Sequence, residues 1–390
     1  MKIGSRILLK QLFKEYYFMM AEKVAEEISE IRKREFAYTD FEEGRLIRHL
    51  SMEDEGKLID FIVEKVPKDL YHSSAYYLFP EREMHQKDWR GADLVFDIDV
   101  DHLEDKGRGI ITLFQCRSCG EIGLGGKELC PKCGGETREI EWMGEESLEV
   151  AKKEVITLAH VLERELGFSE DVMRIYFSGG RGYHIHIHDP KGRITGLSQR
   201  ERNEIVDYLR LTGYKLRYES SWEKRTAKRL WRILKGEEIP DTLDRREWEK
   251  VIRSLRDLSR VEELPSREEL GRILSQIPYE VQKRIEEYIR KRERVEIDPV
   301  VTSDTRRLIR APASLHGKTG LMKKLVKDID AFNPFIDAVG LPERPVTLYV
   351  KYSPQIAFKG KEYGPYEKEE VELPGYVAAY LIGRGVADAK

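Results

Sequence analysis

The chain has 390 residues, which is enough for two or three domains and a sizeable hydrophobic core. Charged residues make up 36% of it, yet 68 Lys and Arg are nearly balanced by 71 Asp and Glu, leaving a formal net charge of −3. This balance excludes a polycation that binds nucleic acid over its whole surface, so any such binding must use local basic patches.

The first predicted element is a helix over 5–33, where apolar residues recur at helical spacing. Lysines and glutamates interrupt these residues, and no uncharged run in the chain approaches the roughly 18 residues that a membrane span needs. The sequence therefore predicts a protein without a membrane segment. A pair of strands is expected next, around 36–48, and such an order begins an α/β or α+β domain.

The stretch 94–103, LVFDIDVDHL, places three aspartates two residues apart at the end of a run of strand formers. Side chains at positions i and i+2 of a strand share a face about 6.6 Å apart, so Asp97 and Asp99 can converge on one hard cation. Such a pair suits metal-assisted phosphoryl chemistry, because Mg²⁺ binds a few carboxylates together with substrate phosphates. The alternative is an aspartate-rich loop or a solvated strand end, which is our interpretation of Asp101.

All four cysteines fall in one segment, as Cys116-x2-Cys119 and Cys130-x2-Cys133. This is the spacing of a Cys₄ zinc ribbon, and a glycine after each pair lets the backbone turn around the metal. A closed four-cysteine site has no open position for substrate, so we expect a structural Zn²⁺ in a knuckle over 114–140. An iron–sulfur cluster and free thiols are the alternatives.

A core-facing helix is predicted over 147–166, and RIYFSGGRGYHIHIH (174–188) then indicates a strand, a glycine-rich turn and a second strand. The glycines let the backbone approach an anion, and Arg181 can donate paired hydrogen bonds to phosphate oxygens. Ser178 and His184 flank this turn. An ordinary glycine-rich hairpin with exposed histidines is the alternative.

From 199 to 294 the sequence is almost wholly helical in character and predicts a helical subdomain inserted into the α/β domain. Within it, 215–235 interleaves basic residues with Tyr218, Trp222 and Trp231. Such a helix can follow a nucleic-acid backbone, but a solvated helix face with core tryptophans fits the pattern equally well.

The segment 296–321, EIDPVVTSDTRRLIRAPASLHGKTGL, combines Asp298 with a basic loop that contains His316 and Lys318. The loop suits phosphate but lacks the full Gly-x4-Gly-Lys-Ser/Thr pattern of a P-loop. A solvated basic surface is the alternative. A second block of strands follows, including RPVTLYVKYS (344–353), and a short helix is predicted near the end.

Together, these stretches resemble the small catalytic subunit of archaeal and eukaryotic DNA primases. The resemblance runs in order through KREFAY (33–38), LVFDIDVD, the cysteine segment, SGGRGYHIHI and RLIRAPASLHGKTGL. It implies the archaeo-eukaryotic primase catalytic fold, an α/β (α+β) fold of mixed sheets flanked by helices. In that fold 1–198 and 295–390 form the catalytic domain with the zinc knuckle, and 199–294 is the inserted, mainly helical subdomain.

The resemblance also implies roles for single residues. Asp97, Asp99 and Asp298 become the three carboxylates that bind catalytic Mg²⁺ or Mn²⁺, with Asp304 as the rival for the third place. The implied nucleotide-binding residues are Ser178, Arg181, His184, His316, Lys318 and Arg48.

The implied activity is de novo synthesis of short primers on single-stranded DNA from nucleoside triphosphates, by two-metal nucleotidyl transfer with release of pyrophosphate. The implied partners are the template, a primase large subunit and the replication machinery. Because only two Asn and seven Gln accompany the many charged residues, a bias associated with thermophiles, we expect a cytoplasmic protein of a thermophilic archaeon. The alternatives are a metal-dependent nuclease, a nucleotide-sugar transferase and a zinc-ribbon protein that only binds nucleic acid.

Overall fold

A computed structural model of the chain describes residues 1–104, 110–189, 192–216, 223–255 and 267–390. Tyr218 and Trp222 of the basic helical segment therefore lie outside the described residues. The described α-helices are α1 (Ile3–Glu26), α2 (Glu55–Lys65), α3 (Glu145–Arg164), α4 (Gln199–Leu209), α5 (Glu223–Leu234), α6 (Arg245–Ser254), α7 (Arg267–Ser275), α8 (Tyr279–Glu293), α9 (Pro299–Ser303), α10 (Pro334–Asp337) and α11 (Gly375–Gly383).

The strands are mostly short and are spread along both halves of the chain. They are β1 (Phe36–Thr39), β2 (Leu46–Leu50), β3 (Asp69–Ser73), β4 (Ala75–Tyr77), β5 (Trp89–Ala92), β6 (Leu94–Asp99), β7 (Ile110–Cys116), β8 (Ile122–Leu124), β9 (Thr137–Met143), β10 (Met173–Phe177), β11 (Gly182–Ile187), β12 (Leu308–Arg310), β13 (Lys324–Leu325), β14 (Pro345–Ser353), β15 (Ile356–Phe358), β16 (Lys361–Tyr363), β17 (Tyr366–Pro374) and β18 (Ala387–Ala389). Helices and sheets are thus mixed in the α+β manner that the sequence predicted.

Two four-stranded sheets are the largest sheets of the described fold. Their strand orders are β12-β3-β1-β2 and β13-β10-β11-β6, and every neighbouring pair is antiparallel. The strand pair predicted around 36–48 is β1 with β2, and the predicted strand, turn and strand are β10 and β11. Both local predictions are confirmed.

One large hydrophobic core takes side chains from both sheets and from α1, α3 and α11. Tyr16 and Tyr17 of α1 are almost fully enclosed in it. The Tyr16 hydroxyl donates to the carbonyl of Ala313 (2.6 Å), and the Tyr17 hydroxyl accepts from the N–H of Leu315 (3.2 Å). The first helix therefore holds the loop between β12 and β13, on which part of the candidate site lies.

Buried residues of the region 211–289 form a second, separate core. Among the described residues of that region, Trp248 is the largest fully buried side chain. By contrast, α4 buries Val206 and Leu209 in the main core. The helical character predicted for 199–294 agrees with α4 to α8, whereas the domain boundary at 199 stays a prediction, since the separate core begins after α4.

Two three-stranded sheets and the two-stranded sheets β4-β5 and β15-β16 make up the other described sheets. The sheet β8-β7-β9 carries the cysteine segment, and β17-β14-β18 contains the strand predicted at 344–353 and packs against α11. Among the described helices, none combines the length and apolar character that crossing a membrane requires.

Replacing Trp248 by alanine should loosen the second core without unfolding the sheets. Trp248 is 1% exposed, and removing a buried aromatic side chain of this size costs about 3–5 kcal/mol. Hydrogen exchange followed by mass spectrometry should accelerate in α5 to α8 and stay slow in β6 and β11. Trp142→Ala, a matched change in the main core, should loosen β9 and α11 instead; the same pattern for both variants would contradict two separate cores.

Candidate active site

The pairing of β6 with β11 places the two strand aspartates. Asp97 lies opposite His184 and Asp99 opposite Gly182. The alternate side chains of β6, at positions 94, 96 and 98, are buried in the main core, so both carboxylates lie on the other face. Asp298 joins them through its backbone, because its N–H donates to the carbonyl of Asp97 (2.9 Å).

Asp97 is stabilised as a carboxylate by His184, whose Nε2 lies 3.1 Å from Asp97 Oδ1. Burial alone would raise the pKa of Asp97, but the charge and hydrogen bond of His184 outweigh it and the pKa is lowered. The pKa of His184 is itself lowered, first by burial and then by the Lys323 charge. The ring is therefore charged only in acid, where its charge opposes protonation of Asp97; at neutral pH it is neutral and holds the Asp97 carboxylate through the Nε2–H hydrogen bond.

Asp99 behaves differently from its neighbour. Burial raises its pKa, and this effect exceeds the opposing effects of the Asp101 N–H, which donates to Oδ1 (3.1 Å), and of Arg181, whose Nε lies 3.7 Å away. The like charge of Asp97 raises the pKa of Asp99 further. A divalent cation bound by both carboxylates would remove this repulsion, so the donor set fits a hard metal ion.

Asp298 begins the short helix α9, where its Oδ1 accepts from the N–H of Val300 (2.8 Å) and its Oδ2 lies 3.9 Å from His102 Nδ1. Asp304 ends the same helix and accepts from the N–H of Arg306 (2.8 Å). Of the two rivals for the third carboxylate, Asp298 is therefore the one hydrogen-bonded to β6. Its role as a metal ligand stays a prediction.

The glycine-rich turn between β10 and β11 closes onto β6. Ser178 Oγ accepts from the N–H groups of Gly180 (3.2 Å) and Gly182 (3.3 Å). Gly179 has a φ of +79°, a conformation that favours glycine. The Ser178 hydroxyl thus shapes the turn while remaining at the edge of the cavity described below.

The basic loop reaches this turn from the other side. His316 Nδ1 accepts from the N–H of Lys318 (3.1 Å), so its Nε2 carries the proton and is a donor. Burial, followed by the Arg310 charge, holds the pKa of His316 well below its ordinary value, which keeps the ring neutral. Thr319 Oγ1 donates to the carbonyl of Gly179 (2.5 Å) and joins the two loops.

These elements surround a cavity of about 390 Å³. Seven of the predicted site residues line it: Asp97, Asp99, Ser178, Arg181, His184, His316 and Lys318. Carboxylates thus face hydrogen-bond donors and cations across one space. That arrangement suits a polyanion bound together with metal ions.

Two of the predicted site residues, Asp298 and Arg48, do not line this cavity, and Asp101 is also absent from its lining. The Nε of Arg48 on β2 lies 3.1 Å from Oε1 of the fully buried Glu35. A nucleotide contact by Arg48 therefore stays a prediction. Asp101 was expected at a solvated strand end, but it forms an ion pair with Nη1 of Arg181 and its side chain is 24% exposed. The glycine-rich turn between β10 and β11 carries Arg181, and this arginine ties the Asp101 carboxylate to the site.

Three further arginines line the cavity, Arg307, Arg310 and Arg384. Arg310 Nη1 donates to Asp69 Oδ1 (2.6 Å), which also accepts from the N–H of Gly317 (2.9 Å). Arg307 and Arg310 belong to a visibly basic stretch, but no motif in the sequence marks Arg384. It lies just after α11 and reaches the site only through tertiary packing.

The four cysteines form the second candidate metal centre. Their Sγ atoms all lie within 4.8 Å of one another, with separations of 3.5 Å for Cys116 to Cys133 and 3.7 Å for Cys119 to Cys130. A tetrahedral ion with bonds of about 2.3 Å places its sulfurs about 3.8 Å apart. The N–H of Cys119 also points at Cys116 Sγ (3.3 Å). The cluster therefore fits a structural metal ion.

Sequence comparison agrees with this geometry. The family model for the DNA primase small subunit matches residues 96–327. The chain is 34% identical over 391 residues to the DNA primase small subunit PriS of Archaeoglobus fulgidus and 33% identical over 402 residues to that of Cenarchaeum symbiosum, with 98% of both chains covered in each case. The PriS of Nitrosopumilus maritimus is 32% identical over 387 residues, with 97% coverage of both chains. The chain belongs to the DNA primase small subunit family.

Proposed function

We propose that this chain is the catalytic subunit of a DNA primase, which makes short primers de novo on single-stranded DNA from nucleoside triphosphates and releases pyrophosphate. The observation that carries the proposal is the single cavity in which Asp97 and Asp99 face Arg181, His316 and Lys318. Reaction of a nucleoside triphosphate requires carboxylates that hold metal ions near the reacting phosphate. It also requires fixed hydrogen-bond donors for the remaining phosphates.

Asp97, Asp99 and Asp298 are the residues that would hold Mg²⁺ or Mn²⁺. Such ions lower the pKa of an attacking 3′-hydroxyl and neutralise charge that develops at the α-phosphate. His184 keeps Asp97 ionised and oriented through its hydrogen bond. Arg181, Lys318, the His316 Nε2–H and the Ser178 turn then bind the β- and γ-phosphates and ease the departure of pyrophosphate.

A metal-dependent nuclease could use the same carboxylates, but it would have no need for cations from two separate loops around a triphosphate-sized space. A protein that only binds nucleic acid through a zinc ribbon leaves the paired aspartates without a role. Membership of the primase small subunit family favours primer synthesis over both. The proposed partners are the single-stranded template, a primase large subunit and the replication machinery in the cytoplasm; a thermophilic source stays a prediction.

The decisive experiment supplies unprimed single-stranded DNA, labelled nucleoside triphosphates and either Mg²⁺ or Mn²⁺. New labelled oligonucleotides that depend on the template are expected. Shortening of the template without new product would support a nuclease and overturn the proposal. Replacing NTPs by dNTPs in the same assay shows which sugar the site prefers.

Asp97→Asn should lower primer synthesis by about 100-fold or more, a loss typical of removing an electrostatic group that acts on the transition state. The amide keeps the size of the side chain, so circular dichroism and the melting temperature should change little. Asp60→Asn, at an exposed position of α2, is the matched control and should retain full activity. Activity of Asp97→Asn close to wild type would rule out this metal-ligand assignment.

Lys318→Ala should raise the KM for nucleoside triphosphate by about tenfold or more, because a hydrogen bond to a charged group contributes about 1.5–3 kcal/mol. Steady-state rates at saturating template measure this effect. Lys57→Ala in α2, also exposed, is the control and should leave the KM unchanged. An unchanged KM in Lys318→Ala would remove this lysine from the triphosphate site.

We further propose that the cysteine cluster holds one structural Zn²⁺. Metal analysis should find one zinc per chain and no iron, and Cys130→Ser should lose it. Chelation should then speed proteolysis between β7 and β9, because the knuckle has little other core. Ser118→Ala, a change between two ligands, should keep the zinc. Unchanged proteolysis after complete metal removal would contradict a structural role.

A further inference from the structure

We propose that Arg384 binds the terminal phosphate of the incoming nucleoside triphosphate. The inference rests on the proposed function and concerns a residue that no sequence motif marks. Arg384 lines the same cavity as Asp97, Asp99 and Lys318, although it follows α11 near the far end of the described chain.

The guanidinium of Arg384 is held in place by two aromatic rings. Its Cζ lies 5.6 Å from the ring centroid of Trp142 and 5.4 Å from that of Tyr380. These rings limit the side chain to few rotamers, so little conformational entropy remains to be lost when a ligand binds. The cation is therefore organised before any substrate arrives.

The hydrogen bonds of Arg384 within the described chain are incomplete. Nη1 donates to the carbonyl of Glu141 and Nη2 to the Tyr380 hydroxyl, both at 3.4 Å, which is long for such contacts. Nε is buried and has no hydrogen-bond partner. A buried guanidinium N–H without an acceptor costs free energy, because it has lost its hydrogen bonds to water. A hydrogen bond to an anionic oxygen of a ligand would recover this free energy.

The charge of Arg384 is also uncompensated, unlike that of two other arginines in the cavity. Arg310 pairs with Asp69, and Arg181 pairs with Asp101. Within the described ranges, Arg384 has no carboxylate oxygen within 4.0 Å. A free positive charge in a partly enclosed cavity attracts a dianionic terminal phosphate more strongly than a paired arginine does.

A chain of contacts leads from Asp99 through Arg181 and Glu141 to Arg384. Arg181 lies 3.7 Å from Asp99 and 3.9 Å from the Glu141 carboxylate, and Arg384 then bonds the Glu141 carbonyl. In the proposed reaction the α-phosphate lies at the aspartates. The phosphate that reaches Arg384 is therefore the terminal one.

Close packing couples Arg384 to Lys318. A Cβ added at Gly383 would lie 2.5 Å from the carbonyl oxygen of Lys318, so the end of α11 touches the basic loop directly. Lys318 and Arg384 thus approach the phosphate tail from one rigid unit. Two cations at the same end favour a triphosphate over a diphosphate, which ends one phosphate earlier.

The test is equilibrium binding of ATP and of ADP, each with Mg²⁺ and without template, to the full chain. Arg384→Gln should weaken ATP binding by about tenfold or more and leave ADP binding unchanged. Arg384→Lys keeps the charge but loses the planar fork, so its loss for ATP should be smaller. Arg200→Gln, on an exposed part of α4, is the matched control and should change neither affinity.

Equal weakening of ATP and ADP by both variants, or no change in either, would overturn the assignment. If Arg384→Gln fails to fold, as a lowered melting temperature would show, Arg384→Lys decides the question by the same comparison. Primer synthesis by the wild-type chain is measured separately. Its absence would refute the proposed function, whereas intact synthesis together with an Arg384→Gln variant that keeps the wild-type preference for ATP over ADP would refute only the role of Arg384.

Discussion

The close approach of β11 to β6 at Gly182 is the constraint on which the site depends. A Cβ at this position would lie 1.8 Å from the carbonyl oxygen of Ile98, so no side chain fits. On either side of the contact, the N–H of Val100 donates to the carbonyl of Arg181 (3.2 Å), and the N–H of Ser178 donates to that of Gly182 (2.9 Å). The end of β6 that carries Asp97 and Asp99 and the glycine-rich turn before β11 are therefore a single unit.

Behind this unit the protein interior is rich in basic groups. Lys323 is fully buried, donates to the carbonyl of Arg310 and lies 3.0 Å from His186 Nε2. Burial, followed by the Arg310 charge, holds the pKa of Lys323 well below its ordinary value, and burial does the same for His72 and His186. The buried histidines are therefore neutral at neutral pH, and the arginines and Lys318 at the cavity wall contribute positive charge to the site.

Local patterns in the sequence predicted the strands, the glycine-rich turn and the cysteine cluster, because each depends on neighbours within a few residues. Seven of the predicted site residues line one cavity in the structure. Contacts between segments far apart in the sequence could not be predicted from such local patterns. The ion pair of Asp101 depends on the register of two strands, and the placement of Arg384 depends on how α11 packs. For Arg48, which the resemblance suggested, the structure shows an ion pair with the buried Glu35, and a nucleotide contact stays a prediction.

The contacts of Tyr16 and Tyr17 in α1 with the loop before β13 show that the site depends on segments far apart in the sequence. The cavity requires β6, the β10 to β11 turn, the loop after β12 and the end of α11, while the first helix supports the loop from behind. Contacts between segments so far apart in sequence carry a large loop-closure cost and form slowly. A partly folded chain therefore holds the carboxylates and the cations apart, and the proposed triphosphate site does not exist in it. Under the proposed function, nucleotide binding would select the completely folded molecule and add to its stability alone.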